Sequence, residues 1–270
     1  MEIELKLLWS GIILYVLGGS LAVVGVVFRK RPERAILGLI LLGWLLHTGA
    51  VTERWIRLGH GPFLSMFEIL SSNVWSLVLA FLIAYWRIPV IRPIAAVVMP
   101  LLFIMMGWLM LSSPGETHFP QSFRTPWLFI HIGLGKVFLG ATLIAVGLAL
   151  VIQLRRTAIG RGWFQSLPDD GRLDDLAYRC MALGVVFNSL MLIAGAIWAQ
   201  DAWGRYWGWD PLETWAFLTW LVLVLYLHVR TTYKITPRMG SYFVLAVFVV
   251  AFLTFFGVPF VSTAPHKGTF

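Results

Sequence analysis

Eight stretches of this 270-residue chain are apolar for long enough to cross a bilayer, and that pattern limits the fold before any single residue does. They cover residues 7–28, 35–52, 63–86, 94–111, 127–153, 179–199, 213–229 and 241–260. A spanning helix needs roughly 17–25 such residues. Charge marks every gap, and no Gly/Ser linker, low-complexity tract or fixed-period repeat interrupts the series. Apolar residues make up 59% of the chain and charged ones 13%, too little polar surface for a soluble fold. The expected fold is all-α: a polytopic membrane protein of about eight transmembrane helices, with residues 1–270 forming a single membrane domain.

The net charge of +8 invites a nucleic-acid reading, but its distribution opposes one. Basic residues sit in short loops, where they set topology rather than track a phosphate backbone. One set of alternate loops holds Arg29, Lys30, Arg31, Arg34, Arg87, Arg92, Arg155, Arg156, Arg161, Arg172, Arg179, Arg230, Lys234 and Arg238, 14 in all. The other set, with both termini, holds six: Lys6, Arg54, Arg57, Arg124, Arg205 and Lys267. The positive-inside rule puts the richer set in the cytoplasm and both termini on the extracytoplasmic side. Residues 155–178 form the longest inner loop, where Asp169, Asp170, Asp174 and Asp175 mix with arginines as a solvated connector would. The first ten residues carry Glu2 and Glu4 and lack a basic n-region, so the first apolar run reads as a retained helix. A lone cysteine, Cys180, allows neither an internal disulfide nor a CxxC pair. Thiol chemistry would have to use another molecule's cysteines.

Between the sixth and seventh stretches the chain reads Trp203-Gly204-Arg205-Tyr206-Trp207-Gly208-Trp209-Asp210-Pro211-Leu212-Glu213-Thr214-Trp215. Fourteen tryptophans in 270 residues predict fewer than one in such a window, and this one has four. An interfacial aromatic belt explains enrichment at a helix end. It does not explain the order, in which two glycines alternate with the rings and allow close backbone approach to a flat ligand. Both readings stand on the residues alone. Asp210, Pro211 and Glu213 fit an N-cap, a proline at the first helical position and an acid at the third. A helix should therefore start sharply there, on the outer side. Arg205 could meet a ligand carboxylate or simply reach water.

This segment closely resembles the WWD domain of haem-handling membrane proteins, roughly W-G-x-x-W-x-W-D-P-x-E-T-W; Leu212 stands where that family often has Lys. Within the family, the length and eight stretches look most like the CcsA (ResC) subunit of the system II cytochrome c synthase. The stretch from Gly59-His60-Gly61-Pro62 to Glu68 is similar to that group's sequence before its third helix. Residues 173–183 and Tyr226-Leu227-His228-Val229-Arg230 also fit. The resemblance implies an extracytoplasmic haem-binding segment, residues 200–215, in which Trp203, Arg205, Trp207, Trp209, Asp210 and Trp215 contact the porphyrin. It implies haem b as substrate and bound ligand.

Imidazole is a usual axial ligand of haem iron, and six histidines are present. The resemblance assigns external ligation to His131 and His266, and places His228 on the route by which haem enters. An ionisable residue within a span is a functional candidate in its own right, although His228 lies near the end of its stretch and could reach interfacial water. His47 lies some 18 Å along the second stretch, at about 1.5 Å per residue. An interhelical hydrogen bond suits it better than a ligand role. His60 and His118 are weaker candidates. Glu68, within the third stretch, would serve helix packing or a polar contact on a haem route.

The implied activity is cytochrome c biogenesis. Haem moves to the extracytoplasmic face and is held for thioether attachment to the CxxCH motif of apocytochrome c, making the chain a subunit of a holocytochrome c synthase (haem lyase). Implied partners are a CcsB (ResB)-type membrane subunit, the apocytochrome and a thiol reductant. The implied location is a bacterial cytoplasmic or thylakoid membrane. A haem exporter or chaperone without synthase activity, and a non-haem transporter or structural subunit, remain alternatives.

Overall fold

The computed structural model describes residues 1–261, and every regular element among them is helical. Eight helices are long and apolar enough to cross a membrane: α1 (Glu2–Val27), α2 (Glu33–Leu58), α3 (Met66–Arg87), Pro89–Leu111 comprising a 3₁₀ turn and α4 (Ala95–Leu111), α5 (Pro126–Leu154), α7 (Asp170–Trp203), α8 (Pro211–Thr232) and Pro237–Gly257, which begins with α9 (Pro237–Phe252). A short α6 (Ala158–Trp163) follows α5, and α10 (Val258–Val261) ends the described chain. The protein is thus an all-α polytopic membrane protein. Contacts group it into two compact units, Met1–His118 with Leu154–Pro168, and Phe119–Gln153 with Asp169–Phe270.

In the first unit α1 packs closely along α2. Gly11 and Gly43 make the approach possible: a Cβ on Gly11 would lie 2.8 Å from the Gly43 carbonyl oxygen, and one on Gly43 would lie 2.9 Å from the Gly11 oxygen. Lipid tails give apolar helices no hydrophobic reason to associate, so small residues that let backbones meet supply the packing. The buried stripe of α2, Ile36, Ile40, Gly43, His47, Ala50 and Arg54, keeps helical spacing to its last turns. Gly59 ends α2 in the left-handed conformation at φ 70°. Ser65 starts α3 through a capping box with Glu68.

Several helices are longer than their apolar stretches, and in three of them the extension carries buried charge. α1 starts at Glu2, α2 runs through Glu53, Arg54 and Arg57, and α7 starts at Asp170. The charges that end an apolar run pair with one another here instead of ending the helix. Arg54 is sealed from solvent and uses all five of its N–H donors. Nε and Nη2 donate to Glu68 Oε1 (3.0 and 2.8 Å), Nη1 to Glu4 Oε1 (2.9 Å) and the Pro114 carbonyl (3.2 Å), and Nη2 also to the Gly115 carbonyl (2.6 Å). Arg57 also donates to Glu4, from Nη2 to Oε2.

The 155–178 connector is also more ordered than a solvated loop. It contains α6, capped by Thr157, and the first turns of α7, capped by Asp169. With 34 residues, α7 is roughly 51 Å long at 1.5 Å per residue, more than a hydrocarbon core is thick. Asp174, in its second turn, is buried and accepts from Nε and Nη2 of Arg230 on α8 at 2.9 and 2.7 Å. The two segments 173–183 and 226–230 therefore meet through an ion pair.

Candidate functional site

The tryptophan segment spans the end of α7 and the start of α8. Trp203 is the last residue of α7, and Gly204 (φ 76°) reverses the chain after it. Asp210 caps α8 as its sequence indicates. Its Oδ1 accepts from the Glu213 N–H at 2.9 Å, while Glu213 Oε2 accepts from Asp210 (3.3 Å) and Gly208 (2.7 Å). The two carboxylates thus fold the 208–213 corner, with Pro211 at the first helical position. Between the two helices Trp209 takes φ 57°. The left-handed region disfavours a bulky side chain by about 1–2 kcal/mol, and such strain collects at ligand sites. The ring it holds there is 68% exposed. The Arg205 guanidinium lies over Gly208, in the space a Cβ would need.

The rings form two groups. In the first, His131 of α5 stacks on Trp198 of α7 (centroids 6.0 Å apart, planes 26°). Trp203 meets Trp198 edge-on at 5.0 Å, and Phe123 closes against both, at 5.1 Å from Trp198 and 6.3 Å from Trp203. In the second, Trp207 and Trp209 cross at 84° and 5.7 Å, each edge-on to Phe217 of α8. Phe217 stacks on Trp220, whose Nε1 donates to Ser189 Oγ at 2.8 Å, tying the group to α7. Trp215 joins neither ring group among the described residues; its carbonyl accepts from Thr219 and Thr254.

His131 is held by its Nδ1, 2.9 Å from the Met191 carbonyl oxygen. A carbonyl can only accept, so Nδ1 carries the proton and the lone pair of the neutral ring lies on Nε2. A carbonyl behind one nitrogen, orienting the other, is the usual support of a metal-bound imidazole. Gly195 lets the ring lie this close to α7, since a Cβ there would fall 2.7 Å from Nδ1. Trp207 adds a buried indole N–H with no hydrogen-bond partner among the described residues. Together, a fixed imidazole, flat aromatic walls and an exposed arginine fit an iron porphyrin with carboxylate side chains.

The other histidines are elsewhere. His228 is exposed, 17 residues beyond the start of α8 and so roughly 26 Å along it, apart from the His131 group. His266 lies outside the described residues. His47 is fully buried, at hydrogen-bond distance from Ser71 Oγ on α3 (3.0 Å) and the Tyr15 hydroxyl on α1 (3.4 Å), the interhelical role expected for it. The ring nitrogens of His60 lie 3.0 Å from the carbonyl oxygens of Gly61 and Thr117. His118 is exposed. Glu68, at the third position of α3, accepts from its N-cap backbone and from Arg54 and Thr117, a structural contact at a helix start.

Sequence reasoning assigned no site role to Phe123, Trp198 or Phe217, which complete the ring groups. Phe217 sits in an apolar stretch where an aromatic residue has no distinguishing signal. Trp198 falls on the α7 stripe of Gly184, Asn188, Met191 and Ala194, which is legible from helical spacing.

A family model described as cytochrome C assembly protein matches residues 35–266. Among curated relatives, a cytochrome c biogenesis protein CcsA of Prochlorococcus marinus (strain MIT 9515) is 31% identical, over 89% of this chain and 85% of its own. The protein of that name from strain MIT 9301 is 29% identical over 90% and 87%, and that of Guillardia theta 28% over 90% and 89%. A solved structure titled cytochrome c heme lyase CcmF shares the fold, with a TM-score of 0.72 at 19% identity. The match covers 94% of this chain and 46% of that longer one. With its helix count, its tryptophan corner and these relatives agreeing, the chain belongs to the cytochrome c assembly protein family, among members of the CcsA type.

Proposed function

We propose that this chain is the haem-presenting subunit of a cytochrome c synthase, taking haem b as substrate, and that its two units act as one membrane domain. The observation that carries the reading is His131: its Nδ1 is tied to the Met191 carbonyl and its face to Trp198, which meets Trp203 edge-on at the start of the tryptophan corner. His131 supplies one axial nitrogen in this reading and His266 the other. Trp203, Trp207, Trp209 and Trp215 border the porphyrin, Arg205 meets a propionate, and Asp210 sets the corner's position. His228 serves an earlier stage of haem passage. The excess of basic residues in alternate connections supports an inner location for His228 and an outer one for the corner, in a bacterial cytoplasmic or thylakoid membrane.

Haem supplies two vinyl groups, and each apocytochrome Cys S–H adds across one of them, sulfur to one carbon and hydrogen to the other, with no net redox change. This chain's residues contribute orientation, which alone can lower a barrier by several kcal/mol. They also hold the metal until the substrate CxxCH histidine replaces a protein imidazole. A CcsB-type partner and a thiol reductant complete the system.

The test is the absorbance spectrum of chain purified from haem-replete cells. A Soret band is expected, lost in His131→Ala and regained with added imidazole. No band in the unmodified chain, or an unchanged spectrum in both His131→Ala and His266→Ala, would overturn the reading. Bound haem without covalent cytochrome, when the CcsB-type partner and an apocytochrome are supplied, would point to an exporter.

A further inference from the structure

One end of the first unit carries a cleft that the haem reading does not use. It is an open cleft of ≈ 660 Å³ where the 28–34 turn, the first turn of α2 and the end of α3 come together. Arg31, Arg34 and Arg92 line it, with Glu33 as the acid. Arg92 is fixed: Nη1 donates to Glu33 Oε2 (2.6 Å), Nε donates to the Tyr85 carbonyl (3.1 Å), and its guanidinium lies 5.4 Å from the Tyr85 ring centroid. That pairing satisfies Glu33. Arg31 and Arg34 have no acidic partner within 4 Å among the described residues, so the cleft holds two uncompensated positive charges.

The surroundings define the anion's company. Leu37 forms part of the wall, and the same helix continues with Leu41, Leu42 and Leu45, each 43–53% exposed, as an apolar surface beside the cleft. Trp86, 62% exposed with Arg87 over its ring at 4.8 Å, is the penultimate residue of α3, next to Tyr85 of the cleft wall. Tryptophan and arginine together mark the headgroup depth of a bilayer. Basic pockets between helices at that depth suit anionic headgroups.

We propose that this cleft binds the phosphate headgroup of an anionic phospholipid, with Arg31 and Arg34 on the phosphate, Arg92 as the fixed floor, and the acyl chains along Leu41, Leu42 and Leu45. The site is separate from the haem reading and does not depend on it. A free phosphate would use the same arginines but gain nothing from the leucine face.

Native mass spectrometry of the detergent-purified full chain tests this, using phosphatidylglycerol and phosphatidylcholine with matched acyl chains. Preferential retention of phosphatidylglycerol is expected. Arg34→Gln, at an exposed position outside the core, should reduce the preference roughly five-fold, and Arg31→Gln/Arg34→Gln should abolish it. Equal retention of the two lipids overturns the proposal. So does an undiminished preference in a folded Arg34→Gln variant, or inorganic phosphate competing as well as phosphatidylglycerol at equal concentration.

Discussion

Arg54 on α2 and Glu68 on α3 share an ion pair in which two guanidinium nitrogens reach one carboxylate oxygen, and neither residue is more than 2% exposed. Glu4 of α1 joins from the other side, so one arginine links three helices and the 114–115 backbone. Removing one member of a buried pair leaves the others charged and desolvated. Arg54→Ala should therefore cost roughly 3–5 kcal/mol. Thermal unfolding in detergent checks this; a melting temperature within a degree or two of the unmodified protein would refute it.

The α8 cap offers a graded test of the tryptophan corner. Asp210→Ala removes the acceptor for the Glu213 N–H and should cost about 0.5–2 kcal/mol, while Asp210→Asn keeps a good cap and should lose much less. Hydrogen exchange across residues 208–216 should quicken in the alanine variant alone. If haem retention falls in step with exchange, Asp210 acts by placing the rings; equal exchange in both variants would dismiss the cap as the controlling feature.

Gly195 matters for a different reason. A methyl at this position intrudes on the His131 ring rather than on the helix fold. Gly195→Ala should leave helicity unchanged and shift or weaken the Soret band, because the imidazole must tilt away from the Met191 carbonyl. A normal spectrum would mean that the Gly195 approach does not set the ligand.

Gly11→Ala probes packing with no link to the site. The added carbon would meet a backbone oxygen on α2, which cannot rotate aside. Overpacking of this kind costs roughly 1–3 kcal/mol. A lower melting temperature with a normal haem spectrum is expected, and a lost spectrum with unchanged stability would contradict the assignment.

The eight spans were legible because burial in lipid demands long apolar runs, and the α8 start because Asp210, Pro211 and Glu213 each have a fixed place at a helix N-terminus. The ends of α1, α2 and α7 were not legible in the same way. Hydropathy stops at Glu4, Arg54 and Asp174, yet all three are buried because a partner far along the chain neutralises each. A cue was present: Arg54 continues the spacing of Ile40, Gly43, His47 and Ala50. At the candidate site, the corner tryptophans stand out in the residues themselves, whereas His131 is singled out by the family resemblance. The division of the rings into two groups was not legible, since it depends on which faces of α5, α7 and α8 meet, and apolar stretches with low amphipathicity do not specify that.

Trp209 has a further consequence. Its left-handed backbone is one that glycine or asparagine adopts with less strain. A screen for thermal tolerance alone should therefore enrich those two residues at 209, whereas a screen for cytochrome output should retain tryptophan. If so, this position records two selections pulling in opposite directions, and the largest exposed ring of the corner persists at the expense of the loop that carries it.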